Sequence, residues 1–356
     1  MNNIRRIQQK LIEKDLDAIL VTDEKNQRFA AGFPFTDGAV LVTRDRAFLM
    51  TDSRYIEAAG KTVPDFVELM LFGREKKLGQ MLSETVEACG IKKLGAEEQK
   101  LSHGAYLGYE NLLGMQLIPA QSVLSDLRAA KTEDEIACLI EAQRISEKAL
   151  EEVLGIIKPG ITEREIAAEL NYRMMKFGAE GISFDTISVT GKKTSMPHGV
   201  PGDEQVRYGD FVTIDFGCLK HGYCSDMTRT VAVGSATDEM KKVYNTVLEA
   251  QKAGIAHARA GIPGGEIDAA ARKVIDDAGY GKYFGHSFGH SVGLDIHEMP
   301  VAAPGAEAIM PVGCAVSAEP GIYIPGEFGV RIEDVLILRE DGCDDIARAP
   351  RQLIIL

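Results

Sequence analysis

Residues 210–230 read DFVTIDFGCLKHGYCSDMTRT, and residues 317–334 read SAEPGIYIPGEFGVRIED. Each stretch holds strand-like runs and two acids: Asp215 and Asp226 in the first, Glu319 and Glu333 in the second. All four acids follow apolar or small residues, where an unpartnered carboxylate would take up a proton rather than stay charged. Side chains alternate faces along a strand, so acids near the base of a hairpin can face one side from adjacent strands. Between the two stretches lies HSFGHSVGLDIHE, residues 286–298, with His286, His290 and His297. Four acids placed by strands around a histidine predict an oxygen-rich cage for two divalent ions. A pair of ions makes a nucleophile of water at neutral pH, so the pattern points to a hydrolase.

Working outward, Phe211–Phe216 and Tyr223–Val233 are expected to pair through a turn at Lys220-His221-Gly222. Val316–Glu319 and Val330–Leu338 make a second strand pair. Helices precede both. Thr132 with Glu135, and Thr162 with Glu165, have the spacing of capping boxes. The first opens a helix with the stripe Ile136, Leu139, Ile140, Ile145, Val153, Leu154 and Ile157; the second opens one with Ile166, Leu170 and Met174. Further helices fit 238–259 and 265–278. Two modules of helices followed by a hairpin with two acids suggest an internal repeat of pattern, not of residue identity.

Residues 1 to about 125 alternate differently. Strands are expected at 17–21, 39–43, 47–50, 93–97 and 115–119, with a helix over 74–89, which argues for a mixed α/β domain with its own sheet. Ser125–Ile136, SDLRAAKTEDEI, is polar and aperiodic and reads as the junction. The expected domains are therefore 1–125 and 126–356.

Composition excludes little else. The chain has 356 residues, 45% hydrophobic and 26% charged, with a net charge of −13. That balance speaks against nucleic acid and anionic membrane surfaces as partners. The first twenty residues read as an amphipathic helix running into a strand rather than a signal peptide, and a cytoplasmic location is expected. The six cysteines form no CxxC pair and read as reduced, mostly buried thiols.

Of seven histidines, His198, His286, His290 and His297 fall in Gly/Pro-rich segments, whereas His103, His221 and His257 read as surface residues. His198, between Pro197 and Pro201, sits in a loop stiff enough to present an imidazole to a substrate. Oxygen donors with one imidazole suit Mn²⁺, Co²⁺, Fe²⁺ or Zn²⁺. Gly285-His286-Ser287-Phe288-Gly289 matches a nucleophile-elbow pattern, but a strand before it and a helix after it are not expected, and Asp295 and His297 lie too close in sequence to be its partners. Gly191-Lys192 with Thr194 is an incomplete phosphate loop, because Thr186 stands where its first glycine is required.

The set PHG, TIDFG, GYCSDMTRT, GHSVGLDIHE, AEPGIY and RIED resembles the Xaa-Pro peptidases of the pita-bread fold, the prolidases and aminopeptidases P; LRAAKTEDEI and TDSRY extend the likeness along the chain. The resemblance implies an α/β N-terminal creatinase-like domain and an α+β pita-bread catalytic domain with an internal pseudo-two-fold repeat. It implies hydrolysis of the bond preceding proline in short peptides by a metal-bridging hydroxide, with two ions, Mn²⁺ or Co²⁺ first. In that likeness Asp215, Asp226, His290, Glu319 and Glu333 hold the metals, and Glu319 also orients and deprotonates the water. His198 and His297 hydrogen-bond substrate and intermediate, His286 is a further substrate-side histidine, and Arg331 braces the cage. A homodimer acting on proline-containing peptides, and not on nucleic acid or membrane, is the expected assembly. Methionine aminopeptidase-like activity and a non-catalytic binding role on the same fold are the alternatives. Ser291 and Ser195 depart from the usual family residues, glycine and alanine.

Overall fold

A computed structural model describes residues 2–356, which form two compact units meeting at Arg128 and Ala129. In the first, strands β1 (Ala18–Val21), β2 (Gly38–Thr43), β3 (Ala47–Thr51), β4 (Glu68–Leu71), β5 (Leu94–Ala96) and β6 (Ile118–Pro119) form one mixed sheet in the order β4-β3-β2-β1-β5-β6. Its helices are α1 (Asn3–Glu13), α2 (Glu24–Ala31), α3 (Ile56–Thr62), α4 (Leu78–Ala88) and α5 (His103–Leu113). The expected strands are present, and the helix expected from residue 74 begins at Leu78. The polar junction is a correction: α6 (Gln121–Ala129) is helical and buries Val123 and Leu124, so only 130–132 separate it from the next helix.

The second unit opens on α7 (Glu133–Leu154) and α8 (Glu163–Lys176), both started by the expected capping boxes. In each, a threonine side chain accepts from the third backbone N–H while the glutamate reaches back, satisfying donors the helix leaves open. The apolar stripes of α7 and α8 pack on β8 (Ile187–Thr190), β9 (Phe211–Phe216) and β12 (Met227–Ala232) through Leu150, Leu170, Ile214 and Val231. Short strands β7 (Gly181–Ile182), β10 (Cys218–Lys220) and β11 (Tyr223–Cys224) make a separate sheet. Helices α9 (Asp238–His257) and α10 (Gly264–Asp277) follow. Next come β13 (Gly289–Ser291), β14 (Glu298–Ala302), β15 (Ala315–Ala318), β18 (Asp334–Arg339) and β19 (Gly342–Asp345), paired as β14-β13-β15-β18-β19, and the hairpin of β16 (Gly321–Ile324) with β17 (Phe328–Arg331). Val243, Val247, Ile267, Val316 and Leu336 share the core of this second module.

Neither acidic hairpin is continuous, which differs from the sequence reading. The first turns at His221-Gly222 as expected, with φ of 50° and 76°. Its ladder is interrupted at Gly217 and at Ser225-Asp226, so that β9 pairs with β12 while β10 pairs with β11. The run Val330–Leu338 is likewise split at Ile332-Glu333. The reason is a switch of partner: the Glu333 N–H leaves its own sheet and donates to Thr228 O at 3.1 Å. The interruptions therefore fall beside Asp226 and Glu333.

One fork joins the modules behind these breaks. Arg229, on β12, is 1% exposed. Its guanidinium donates to Pro350 O (2.9 Å), Thr228 O (2.9 Å), Glu333 O (2.6 Å), Ala349 O (2.8 Å) and Asp334 Oδ1 (2.7 Å). Five donors meet five acceptors, which is full satisfaction for an arginine. Asp334 also accepts from Gln251 Nε2 of α9 at 3.1 Å. No helix among the described residues is long and apolar enough to cross a membrane.

Replacing Asp334 by alanine leaves the Arg229 guanidinium buried without its carboxylate, and breaking a buried pair costs about 3–5 kcal/mol. Asp344 pairs with Arg339 at 2.7 Å but is largely exposed, and exposed pairs contribute about 0–1 kcal/mol. Urea unfolding is expected to show a clearly lower midpoint for Asp334→Ala and a near-wild-type midpoint for Asp344→Ala; equal midpoints would show that the fork carries no weight.

Candidate metal centre

The broken hairpins bring acids from both modules to one place. Asp215 lies within β9, Asp226 just before β12, Glu319 just after β15 and Glu333 just before β18, while His290 sits in the middle of β13. Asp215 pairs with Thr228 across β9 and β12, and Asp226 precedes Thr228 by two residues, so all three face one side. Thr228 Oγ1 donates to Glu333 Oε2 at 2.6 Å, bridging the first hairpin to the second.

Among the described residues, Asp226, His290 and Glu333 offer ligand atoms that all lie within 4.8 Å of one another. His290 Nε2 lies 3.6 Å from Asp226 Oδ2 and 3.3 Å from Glu319 Oε1. The other ring nitrogen, Nδ1, faces Ser291 O at 3.2 Å. A carbonyl can only accept, so Nδ1 carries the hydrogen and Nε2 presents its lone pair to the cluster. Ser317 links two members: its Oγ accepts from His290 N–H and donates to Glu319 Oε1, both at 3.0 Å.

Electrostatics shows what the cluster lacks. Burial raises Asp226 well above the ordinary carboxylate range, and Asp215 and Glu319 raise it further. Burial, then Asp226 and Glu319, does the same to Glu333. Glu319 is pushed up to about 7 by burial, partly opposed by Arg331. Burial lowers His290 and His297, so neither imidazole supplies a compensating charge. Arg331 pairs with Asp215 Oδ2 at 2.6 Å, yet Asp215 Oδ1 is buried and has no hydrogen-bond partner. Crowded carboxylates, an orphaned buried oxygen and an imidazole lone pair fit a divalent cation.

The other expected residues divide. The His297 ring lies 4.3 Å from the His290 ring, centroid to centroid, on an exposed stretch at the edge of the cluster. His198 is exposed in the loop after the 3₁₀ turn Gly191–Ser195, near enough to act electrostatically on Glu319, His286 and His297. Arg331 donates to Asp215, to Thr228 Oγ1 (3.0 Å) and to Tyr323 OH (2.8 Å). His286 lies behind Arg331, joined to it through Tyr323. Because Arg331 donates to the Tyr323 oxygen, the phenol proton goes to His286 Nε2 at 2.8 Å, and Nδ1–H then donates to Ser287 O at 2.8 Å. Both ring nitrogens are engaged, and burial holds the imidazole neutral, near 4. His286 therefore supports Tyr323 and, through it, Arg331.

Thr228, Ser317 and Tyr323 were not singled out from the sequence. Their signal is adjacency: each stands two to four residues from an acid in a quoted motif. Ser291, where the family usually has glycine, is buried and donates to Pro300 O, tying β13 to β14. Ser195 caps its own turn through Lys192 O at 2.8 Å.

The arrangement defines a buried carboxylate–histidine centre suited to metal-assisted hydrolysis, and comparison with known proteins gives its class. Residues 137–340 match the model of metallopeptidase family M24, and residues 3–130 match the creatinase/prolidase N-terminal domain. The chain belongs to metallopeptidase family M24 and has its pita-bread fold. It is 36% identical to the Xaa-Pro dipeptidase of Pyrococcus horikoshii, over 99% of this chain and 98% of that protein. Among solved structures, the Xaa-Pro dipeptidase from Bacillus anthracis superposes with a TM-score of 0.95 at 42% identity, covering 99% of each chain. The X-Pro aminopeptidase from Thermotoga maritima superposes with a TM-score of 0.92 at 35% identity, covering 98% of this chain and 100% of that one.

If the acids repel until a cation joins them, Asp226→Asn should leave chelator-treated protein at least as stable as wild type. Added Mn²⁺ should raise the melting temperature of wild type by several degrees, through binding to the folded state alone, and of the variant hardly at all. A destabilised variant that still responds fully to Mn²⁺ would mean that Asp226 is a structural acid.

Proposed function

We propose that this chain hydrolyses the peptide bond preceding proline in short peptides, as an Xaa-Pro dipeptidase or aminopeptidase. The carrying observation is the convergence of Asp215, Asp226, His290, Glu319 and Glu333 from two modules on one buried place. These five residues would hold two divalent ions, with Mn²⁺ or Co²⁺ the first candidates and Zn²⁺ or Fe²⁺ also suited to the donor set. When bound, such ions supply Lewis acidity toward a carbonyl oxygen and lower the pKa of water toward 7.

The remaining chemistry belongs to the chain. Glu319, tied through Ser317 to His290, takes the proton of the attacking water as its oxygen bonds to the carbonyl carbon before proline. The same carboxyl then delivers that proton to the imide nitrogen as the C–N bond breaks. His297 and His198 lie at the rim and donate hydrogen bonds to the substrate carbonyl as negative charge develops on it. Arg331 holds Asp215 in place through a 2.6 Å ion pair, and Thr228 does so for Glu333. Proline has no N–H and a fixed φ, so a pocket shaped to its ring selects it by form. We assign this chemistry to the domain expected over residues 126–356 and none of it to the creatinase/prolidase-like domain expected over 1–125. From the family resemblance we also propose a cytoplasmic homodimer, which light scattering on the eluting protein checks.

Purified protein is expected to release the first residue from Gly-Pro, as a dipeptidase, or from a Gly-Pro-Yaa tripeptide, as an aminopeptidase, in the presence of Mn²⁺. Activity should disappear with chelator and return on adding the ion. Glu319→Gln, which keeps the shape but removes the base, should lower kcat by about 10²–10⁴. Chelator-resistant cleavage, or full activity in Glu319→Gln, contradicts the assignment.

A further inference from the structure

His297 stands at the end of the loop that joins β13 to β14, and Glu298 is the first residue of β14. Adjacent residues of a strand point to opposite faces. His297 accordingly lies on the exposed, cluster side, whereas the Glu298 side chain is 6% exposed. Inside, the Glu298 carboxylate organises the loop. Its Oε1 accepts from the Asp295 N–H at 3.2 Å. The Gly293 N–H in turn donates to Asp295 O at 3.0 Å. The carboxylate lies against Gly293 so closely that a Cβ there would meet both oxygens at 2.5 Å.

A buried carboxylate needs a counter-charge, and Lys131 supplies it. Its Nζ lies 3.1 Å from Glu298 Oε2, and its side chain is 2% exposed. The lysine backbone is itself fixed. Its N–H donates to Gly313 O at 3.2 Å, and Gly313, with φ of 78°, approaches so closely that a Cβ would stand 2.5 Å from Lys131 O. Lys131 therefore reaches from a rigid attachment to the base of the histidine loop. A buried ion pair adds little net stability compared with a well-packed apolar pair, whereas it fixes the relative place of the two segments that carry it.

We infer that Lys131 is a positioning residue: through its buried ion pair with Glu298 it sets where His297 stands beside the metal cluster. The inference rests on the role given to His297 under the proposed function. Without the ammonium, the Glu298 carboxylate loses its 3.1 Å ion pair with Lys131 and shifts from its place against Gly293. That shift moves the Gly293–Asp295 turn that rests on the carboxylate, and with it His297. A displacement of about 1 Å in a group acting on the transition state can cost roughly 10²-fold in rate.

The test is a cycle of Lys131→Met, His297→Ala and the two together, measured on Gly-Pro with Mn²⁺, with bound metal and melting temperature recorded for each. Lys131→Met is expected to lower kcat roughly 10- to 100-fold with KM changed little, and to have less than about a threefold effect once His297 is alanine. An equal factor in both backgrounds overturns the inference. If Lys131→Met does not fold, Lys131→Met with Glu298→Gln removes both charges together; it should fold, bind metal as wild type does and show the same loss confined to the His297 background. Wild-type kcat in that pair also overturns the inference. The imidazole NMR resonance of His297 in metal-free protein, assigned by its loss in His297→Ala, gives a reading independent of catalysis. It should shift or broaden in the Lys131 variant while those of His103, His221 and His257 stay in place; an unmoved His297 resonance sinks the idea. If instead wild type cleaves neither Gly-Pro nor Gly-Pro-Yaa, or His297→Ala is fully active, the proposed function fails, and this resonance still decides the question about Lys131.

Discussion

Carboxylates gathered in one dry volume cannot all ionise unless something positive joins them. That repulsion is the constraint around which this molecule is built. Asp226 and Glu333 are almost wholly buried; burial raises both, Asp215 and Glu319 raise Asp226 further, and Asp226 and Glu319 raise Glu333. Arg331 answers part of the charge through Asp215, and the imidazole of His290 offers a lone pair rather than a proton. What remains is a demand for a cation, set by side chains that the strands hold in place whether or not the cation is there. Stability is sacrificed locally, and the surrounding fold supplies it elsewhere.

The support comes from interactions that cross between the two modules. The Thr228 hydroxyl bonds Glu333, the Glu333 N–H bonds Thr228 O, and the fork from Arg229 ties the backbone of Glu333 to the carboxylate of Asp334. Two of these take the backbone N–H and C=O of Glu333 away from its own ladder. The strands break where the ligands sit because their backbone and side chains are shared with the other hairpin. An interruption of β structure at a functional site is thus a consequence of making that site from two pieces.

Much of this was legible in the sequence, for identifiable reasons. The ligands stood out because acids in apolar strand-like runs are costly without a partner. Both capping boxes stood out because Thr and Glu three residues apart carry their own mechanism. The α5 segment gives only a weak signal: it buries no residue fully and packs partly buried Tyr106, Tyr109 and Leu113 against the core. The polar junction hid α6, whose few apolar residues are too short a series to show a period. The breaks at Ser225-Asp226 and Ile332-Glu333 leave no local signal, because their cause is a hydrogen bond to a segment about a hundred residues away. The same holds for His286, whose neutral, doubly bonded state depends on Tyr323 and Arg331.

X-ray diffraction from crystals grown with Mn²⁺, recorded where manganese scatters anomalously, tests the central claim most directly. Two anomalous peaks are expected, both among Asp215, Asp226, His290, Glu319 and Glu333. A single peak elsewhere on the molecule, or none at these five side chains at saturating Mn²⁺, would contradict it.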